Sequence, residues 1–228
     1  PADPVVVKTI VTSDLAARIA EKYGCQLVEV LTGFKYIGEQ IGLLEKEGHP
    51  ERYVFGFEES YGYLSGSYVR DKDGVVASML VCEMAAYYKE KGLSLLDVLN
   101  SLYREHGVYR HSLVNAEFEG AQGMIAMQNL MDSLRNNHPA AIAGLKVVKV
   151  SDYLLSVKKD LATGREEAID LPKSNVLAFA LEGNAGLVVR PSGTEPKVKA
   201  YVTATGTDAA AAAAMADRLT AAAKELLK

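Results

Sequence analysis

Val5-Val6-Val7-Lys8-Thr9-Ile10-Val11 runs straight into Thr12-Ser13-Asp14-Leu15, a mainly β-branched stretch followed at once by helix-capping side chains. Branched side chains favour extended backbone, and Ser, Thr or Asp ahead of an apolar-periodic run marks a helix start. Leu15, Ile19 and Tyr23 then recur at four-residue spacing and the pattern stops at Gly24. The stretch reads as strand, turn and helix, the unit from which parallel sheets are assembled.

Outward from it the same rhythm repeats. Gln26 to Leu31 reads as a second strand, and Phe34, Ile37, Ile41 and Leu44 place one apolar stripe on a second helix that ends near Gly48-His49-Pro50. Arg52 to Phe57 is a third strand, Val75 to Lys91 a mostly apolar helix closed by Gly92, and Ser94 caps a further helix through His106. Beyond Gly107 strands cluster instead. Val108 to Phe118, Leu145 to Val150, and a hairpin of Asn175 to Leu181 with Leu187 to Val189 are followed by Val198 to Thr203. Gly123 to Leu134 and the alanine-rich Asp208 to Leu227 read as helices, and Asp160 to Asp170 as a polar turn. The expectation is an α/β region with a mainly parallel sheet over 1–107 and a smaller α+β region with an antiparallel sheet over 108–228.

Composition narrows the function classes. Of 228 residues, 25 are basic and 29 acidic, a net charge of −4 with no basic run, which disfavours a general nucleic-acid or membrane-surface binder. The apolar run Ala209 to Ala216 falls far short of the ~20 residues of a membrane span. Cys25 and Cys82 cannot form a disulfide framework and point to a reducing, cytoplasmic setting. Cys82, inside an apolar helix, reads as core packing. His49, His106, His111 and His138 show no metal-ligand spacing. The chain opens Pro1-Ala2-Asp3-Pro4 without an initiator Met, and reads as part of something longer.

Ligands of open α/β sheets gather beyond the carboxyl ends of the strands. Two segments fall there. Phe55-Gly56-Phe57-Glu58-Glu59-Ser60-Tyr61-Gly62-Tyr63 offers carboxylates and a hydroxyl suited to a polyhydroxy ligand, or simply a solvated turn. Thr32-Gly33-Phe34-Lys35 lies on the same rim, or caps its helix. Arg70-Asp71-Lys72-Asp73-Gly74 fails as a calcium loop, since Val75 and Cys82 occupy ligand positions, but Lys72 can aim a cation at a phosphate. Between two later strands, Arg190-Pro191-Ser192-Gly193-Thr194-Glu195-Pro196 assembles a guanidinium, two hydroxyls and glycine-exposed backbone. That set suits an anion, and equally a rigid turn.

In order and spacing these segments resemble the C-terminal half of the α-D-phosphohexomutases, the phosphoglucomutase/phosphomannomutase superfamily. Thr32-Gly33-Phe34-Lys35 is similar to its T-G-[WFH]-K/S turn, Phe57-Glu58-Glu59-Ser60 resembles its G-E-x-S sugar loop, and Arg190-Pro191-Ser192-Gly193-Thr194 looks like its R-x-S-[GN]-T phosphate loop. Phe57 stands where that family usually has Gly, which points to the F-x-F-E-E subgroup of bacterial phosphoglucomutases and phosphopentomutase-like relatives. Ser60 keeps the hydroxyl typical of hexose enzymes.

The resemblance implies an α/β/α third domain over 1–107 and a fourth domain over 108–228. It implies an isomerase that interconverts hexose 1-phosphate and 6-phosphate through hexose 1,6-bisphosphate, with glucose first, mannose next and ribose phosphate as runner-up. Glu58, Ser60, Thr32 and Gly33 would meet the sugar; Arg190, Ser192, Gly193, Thr194 and Lys72 would meet phosphate. The family's phosphoserine loop and D-x-D-x-D magnesium site are absent from this sequence, so no catalytic or metal residue is assigned in it. Mg2+ would belong to missing N-terminal domains 1 and 2, and this chain by itself would be inactive. The contrasting readings are a non-catalytic sugar-phosphate-binding module and a nucleotide-binding α/β domain, the latter without the G-x-G-x-x-G turn after its first strand.

Overall fold

The computed structural model describes residues 1–120, 122–193 and 195–228. The chain divides into two compact units, Pro1–His106 and Gly107–Lys228. In the first, strands β1 (Val5–Thr9), β2 (Gln26–Val30), β3 (Tyr53–Phe57) and β4 (Tyr63–Leu64) are ordered β2-β1-β3-β4. β1 pairs in parallel with both β2 and β3, and the short β4 returns antiparallel on β3. Helices α1 (Leu15–Lys22), α2 (Phe34–Lys46), α3 (Gly74–Glu90) and α4 (Leu95–His106) complete the unit.

The core forms where α2 lies on one sheet face. Its stripe of Phe34, Ile37, Ile41 and Leu44 meets Val5 and Val7 of β1, with Val30, Tyr53 and Leu64. Gly56 sits inside β3 because a Cβ there would strike the Tyr53 hydroxyl and Ile37. Ser94 starts α4 through a reciprocal box: its hydroxyl accepts the Asp97 N–H, and the Asp97 carboxylate accepts the Ser94 N–H.

Three expectations need correction. β1 stops at Thr9 rather than Val11, because Thr12 N–H turns back to the Thr9 carbonyl and ends the ladder. Cys82 is exposed, not core. α3 contains no buried residue, since its apolar side chains run all round it and Val75, Met79, Val81 and Met84 stay exposed. The polar 160–170 segment is no plain turn. It carries the end of β8 (Val157–Asp160) and all of β9 (Glu166–Ala168), a hairpin held by cross-strand Lys158–Glu167 and Lys159–Glu166 pairs. Hydrophobic alternation cannot signal a hairpin stabilised by charge.

The second unit adds β5 (Val108–Glu117), α5 (Gly123–Asn136), β6 (Ala141–Ile142), β7 (Leu145–Asp152), β10 (Leu177–Leu181), β11 (Gly186–Pro191), β12 (Lys197–Gly206) and α6 (Ala209–Leu226). Its sheet runs β5-β12-β11-β10-β7-β8-β9, with β6 paired to β7, and the pairings are antiparallel. Along β12, buried Val198, Ala200, Val202 and Ala204 alternate with less buried Lys197, Lys199, Tyr201 and Thr203, the signature of a sheet covered on one face. Met127, Met131 and Leu134 of α5 and Leu219 and Ala223 of α6 share that core. The Asp208 carboxylate accepts the Ala211 N–H and opens α6. A mainly parallel α/β unit followed by an antiparallel α+β unit is the fold class read from the sequence.

Candidate functional site

Parallel pairing brings the carboxyl ends of β1, β2 and β3 onto one rim, and the segments that leave those ends meet there. Glu58, the first residue after β3, is 8% exposed. Its Oε1 accepts the Gly33 N–H at 3.1 Å, which places a carboxylate at the N-terminal end of α2. The Glu58 N–H donates to the Gly62 carbonyl at 2.9 Å, closing the loop, and Tyr61 turns its tip at φ 65°. Lys72 borders the same loop: a Cβ on Gly62 would fall 2.8 Å from Lys72 Cδ and 2.9 Å from Glu58 Oε2. The Lys72 ammonium pairs with Asp71 at 2.8 Å and lies 5.1 Å from the centre of the Phe34 ring.

Burial pushes the Glu58 carboxyl above its ordinary range, and the neighbouring Glu59 charge adds to this. The Gly33 N–H and the Lys72 cation pull the other way. Thr32 Oγ1 is buried and has no hydrogen-bond partner among the described residues, an uncommon state for a buried hydroxyl. Ser60 is exposed on the loop. The geometry thus unites Glu58 with Gly33, puts Lys72 beside them, and leaves Thr32 and Ser60 hydroxyls on the segments that meet there.

Sequence reasoning missed the floor of this rim. Lys8 is fully buried, yet its ammonium lies 2.6 Å from Glu29, 3.0 Å from Asp14 and 3.1 Å from the Thr12 carbonyl. Thr9 and Thr12 are buried beside it, their hydroxyls 2.8 Å apart. The available signal was a lysine within a valine-rich strand next to a sheet's carboxyl end, where a buried charge needs a partner.

In the second unit, Arg190 and Pro191 close β11, and the loop to β12 is held by its own backbone. Ser192 N–H donates to the Lys197 carbonyl at 2.7 Å, and Lys197 N–H to the Glu195 carbonyl at 2.8 Å. Glu195 N–H donates to Ser192 Oγ at 3.3 Å. Among the described residues nothing lies within 4 Å of a Cβ built on Gly193, and the residue is exposed. Thr194 lies outside the described residues. A residue missed from sequence appears here too: Lys199 stands directly across the ladder from Arg190. Facing like charges repel, and an anion between them would relieve that repulsion.

Among the described residues no group of three or more His, Cys, Asp or Glu side chains is arranged to hold a metal ion. No described helix is long and apolar enough to cross a membrane.

Comparison with known proteins follows the same division. Residues 1–106 match the domain described as phosphoglucomutase/phosphomannomutase, alpha/beta/alpha domain III, and residues 129–222 the phosphoglucomutase/phosphomannomutase C-terminal domain. A phosphoglucomutase of Staphylococcus haemolyticus is 40% identical over 202 residues, covering 89% of this chain and 36% of that protein. One from Staphylococcus aureus is 38% identical over 198 residues, covering 87% and 35%.

Among solved structures, the open form of Paramecium pp63/parafusin, a phosphoglucomutase, aligns with a TM-score of 0.63 at 19% identity, covering 96% of this chain and 38% of that one. A phosphoglucomutase/phosphomannomutase family protein of Burkholderia thailandensis aligns at 0.55 and 17%, covering 98% and 38%. At such identities these two report the fold. The chain spans about a third of the length of the curated relatives it matches. With most of its length matched to two consecutive domains of one architecture, the chain belongs to the phosphoglucomutase/phosphomannomutase family.

Proposed function

We propose that this chain is the sugar- and phosphate-recognition half of a phosphoglucomutase/phosphomannomutase. The longer enzyme interconverts hexose 1-phosphate and 6-phosphate through hexose 1,6-bisphosphate, with glucose phosphate as the preferred substrate and mannose phosphate next. The observation that carries this reading is the Glu58 carboxylate, buried against Gly33 at the strand-end rim beside an unpartnered Thr32 hydroxyl. Carboxylates accept from sugar hydroxyls, and a buried hydroxyl without a partner offers both a donor and an acceptor.

In this reading Glu58, Ser60, Thr32 and Gly33 of the first domain grip the sugar, with Lys72 near its phosphate. Arg190, Ser192, Gly193, Thr194 and Lys199 of the second domain hold the phosphate that is not reacting. Contacts remote from the transferred group position the reacting oxygen, and gripping groups common to both orientations lets the bisphosphate present either end. Phosphoryl transfer and Mg2+ binding are assigned to preceding domains of the longer, cytoplasmic enzyme, and the chain alone is inactive.

Amide spectra of the isotope-labelled chain test this. Glucose 1-phosphate is expected to shift Gly33 and the Glu58–Gly62 loop together with Ser192 and Gly193, whereas inorganic phosphate shifts only the latter pair. Silence of both groups at saturating glucose 1-phosphate would overturn the reading, as would turnover by the chain alone.

A further inference from the structure

Resting on that reading of the rim, we infer that Thr9 and Thr12 form a hydroxyl relay that sets the pose of the sugar loop by holding Glu59. Thr9 and Glu59 are then positioning residues for hexose binding.

Proton bookkeeping gives the relay its direction. Thr9 Oγ1 lies 3.3 Å from Glu59 Oε2 and 2.8 Å from Thr12 Oγ1. An ionised carboxylate only accepts, so the single Thr9 proton goes to Glu59. The shorter Thr9–Thr12 contact must then be donated by Thr12. Thr12 is itself fixed on two sides, since its N–H donates to the Thr9 carbonyl at 3.0 Å and its carbonyl accepts the buried Lys8 ammonium at 3.1 Å. Thr9 ends β1, in register with Val30 of β2. The relay therefore runs from a rigid strand end to an exposed loop.

The loop needs such an anchor. Tyr61 holds φ 65° at its tip, a left-handed conformation that is strained for a non-glycine residue. Neighbouring interactions must over-determine a conformation of that kind. Glu58 supplies one restraint toward the β2–α2 turn through Gly33, and Glu59 supplies the second toward the end of β1. With consecutive carboxylates tied to different elements, Ser60 is the first side chain of the loop left with no hydrogen-bond partner among the described residues. The relay makes that hydroxyl available to a sugar without occupying it.

The test compares the wild-type chain with Thr9→Val, Thr9→Ser, Glu59→Ala and the Thr9→Val/Glu59→Ala double variant, by amide spectra with and without glucose 1-phosphate. Val keeps the branched shape of Thr and removes only the hydroxyl. Thr9→Val and Glu59→Ala are each expected to shift the Gly33 and Glu58–Gly62 amides and to weaken glucose 1-phosphate binding roughly tenfold. Thr9→Ser should restore wild-type behaviour, and the double variant should be no worse than either single one.

Unmoved loop amides in Thr9→Val, additive losses in the double variant, or failure of serine to rescue would each overturn the relay. Should Thr9→Val not fold, the exposed Glu59→Ala decides alone: an unchanged Gly33 amide refutes the proposal and a shifted one supports it. Absence of glucose 1-phosphate binding in the wild type would sink the functional reading, while the ligand-free loop amides would still decide the relay.

Discussion

The Glu58 carboxylate accepts the Gly33 amide at 3.1 Å, joining the end of β3 to the start of α2 across 25 residues of chain. One bond thereby ties two separately recognisable sequence segments into a single surface.

Burial of that carboxylate sets a pH signature, which the Gly33 bond opposes. Glu58 has a folded-state carboxyl raised above its ordinary value of 4.5, with burial the main cause. Its protonated form therefore favours folding, and this contribution is lost as pH rises through the folded value. Glu58→Gln keeps an acceptor for Gly33 and removes the charge. Its stability relative to wild type should grow as pH rises from below the ordinary carboxyl range and level off above the raised one. Urea unfolding of both proteins across that range checks it, and a pH-independent difference would contradict the burial argument.

Lys8 makes an asymmetric prediction. Its side chain is 1% exposed, whereas its partners Glu29 and Asp14 are 51% and 62% exposed. Removing Glu29 leaves part of a buried cation unpaired, while removing Lys8 leaves two carboxylates that water can reach. Glu29→Gln should cost about 1–3 kcal/mol. Lys8→Met should cost less, as read by urea denaturation.

Arg190 and Lys199 face each other across the β11–β12 ladder. Without anion, Lys199→Thr should stabilise the chain by about 0.2–1 kcal/mol in thermal unfolding. With saturating phosphate the sign should reverse, because the anion then binds both cations. Arg190→Lys should not recover phosphate affinity, since a point charge lacks the planar fork of guanidinium.

Cys82 lies exposed on α3, whereas Cys25 is only partly so. Under native conditions Cys82 should react with a thiol reagent at close to the rate of an unprotected cysteine, and Cys25 more slowly. Protection of Cys82 to the level of a buried thiol would show that α3 packs against another surface.

The elements were legible because their signals are local. The spacing of Leu15, Ile19 and Tyr23, the stripe from Phe34 to Leu44, and the alternation along Val198 to Thr203 each report which face of one element avoids water. The 160–170 hairpin escaped because paired charges, not an apolar face, hold its strands. Cys82 misled because an apolar helix is buried only where a neighbour covers it.

Sequence alone determined the two-part architecture, the order of the three motif segments and the residue types available at each, all properties of short stretches. Only the tertiary structure decided that Glu58 is buried and bonded to Gly33, that Lys8 is buried against Glu29 and Asp14, that Thr9 reaches Glu59 fifty residues away, and that Lys199 stands across from Arg190. These are consequences of strand register. Register emerges from packing whole faces against each other, so no single stretch of sequence carries it.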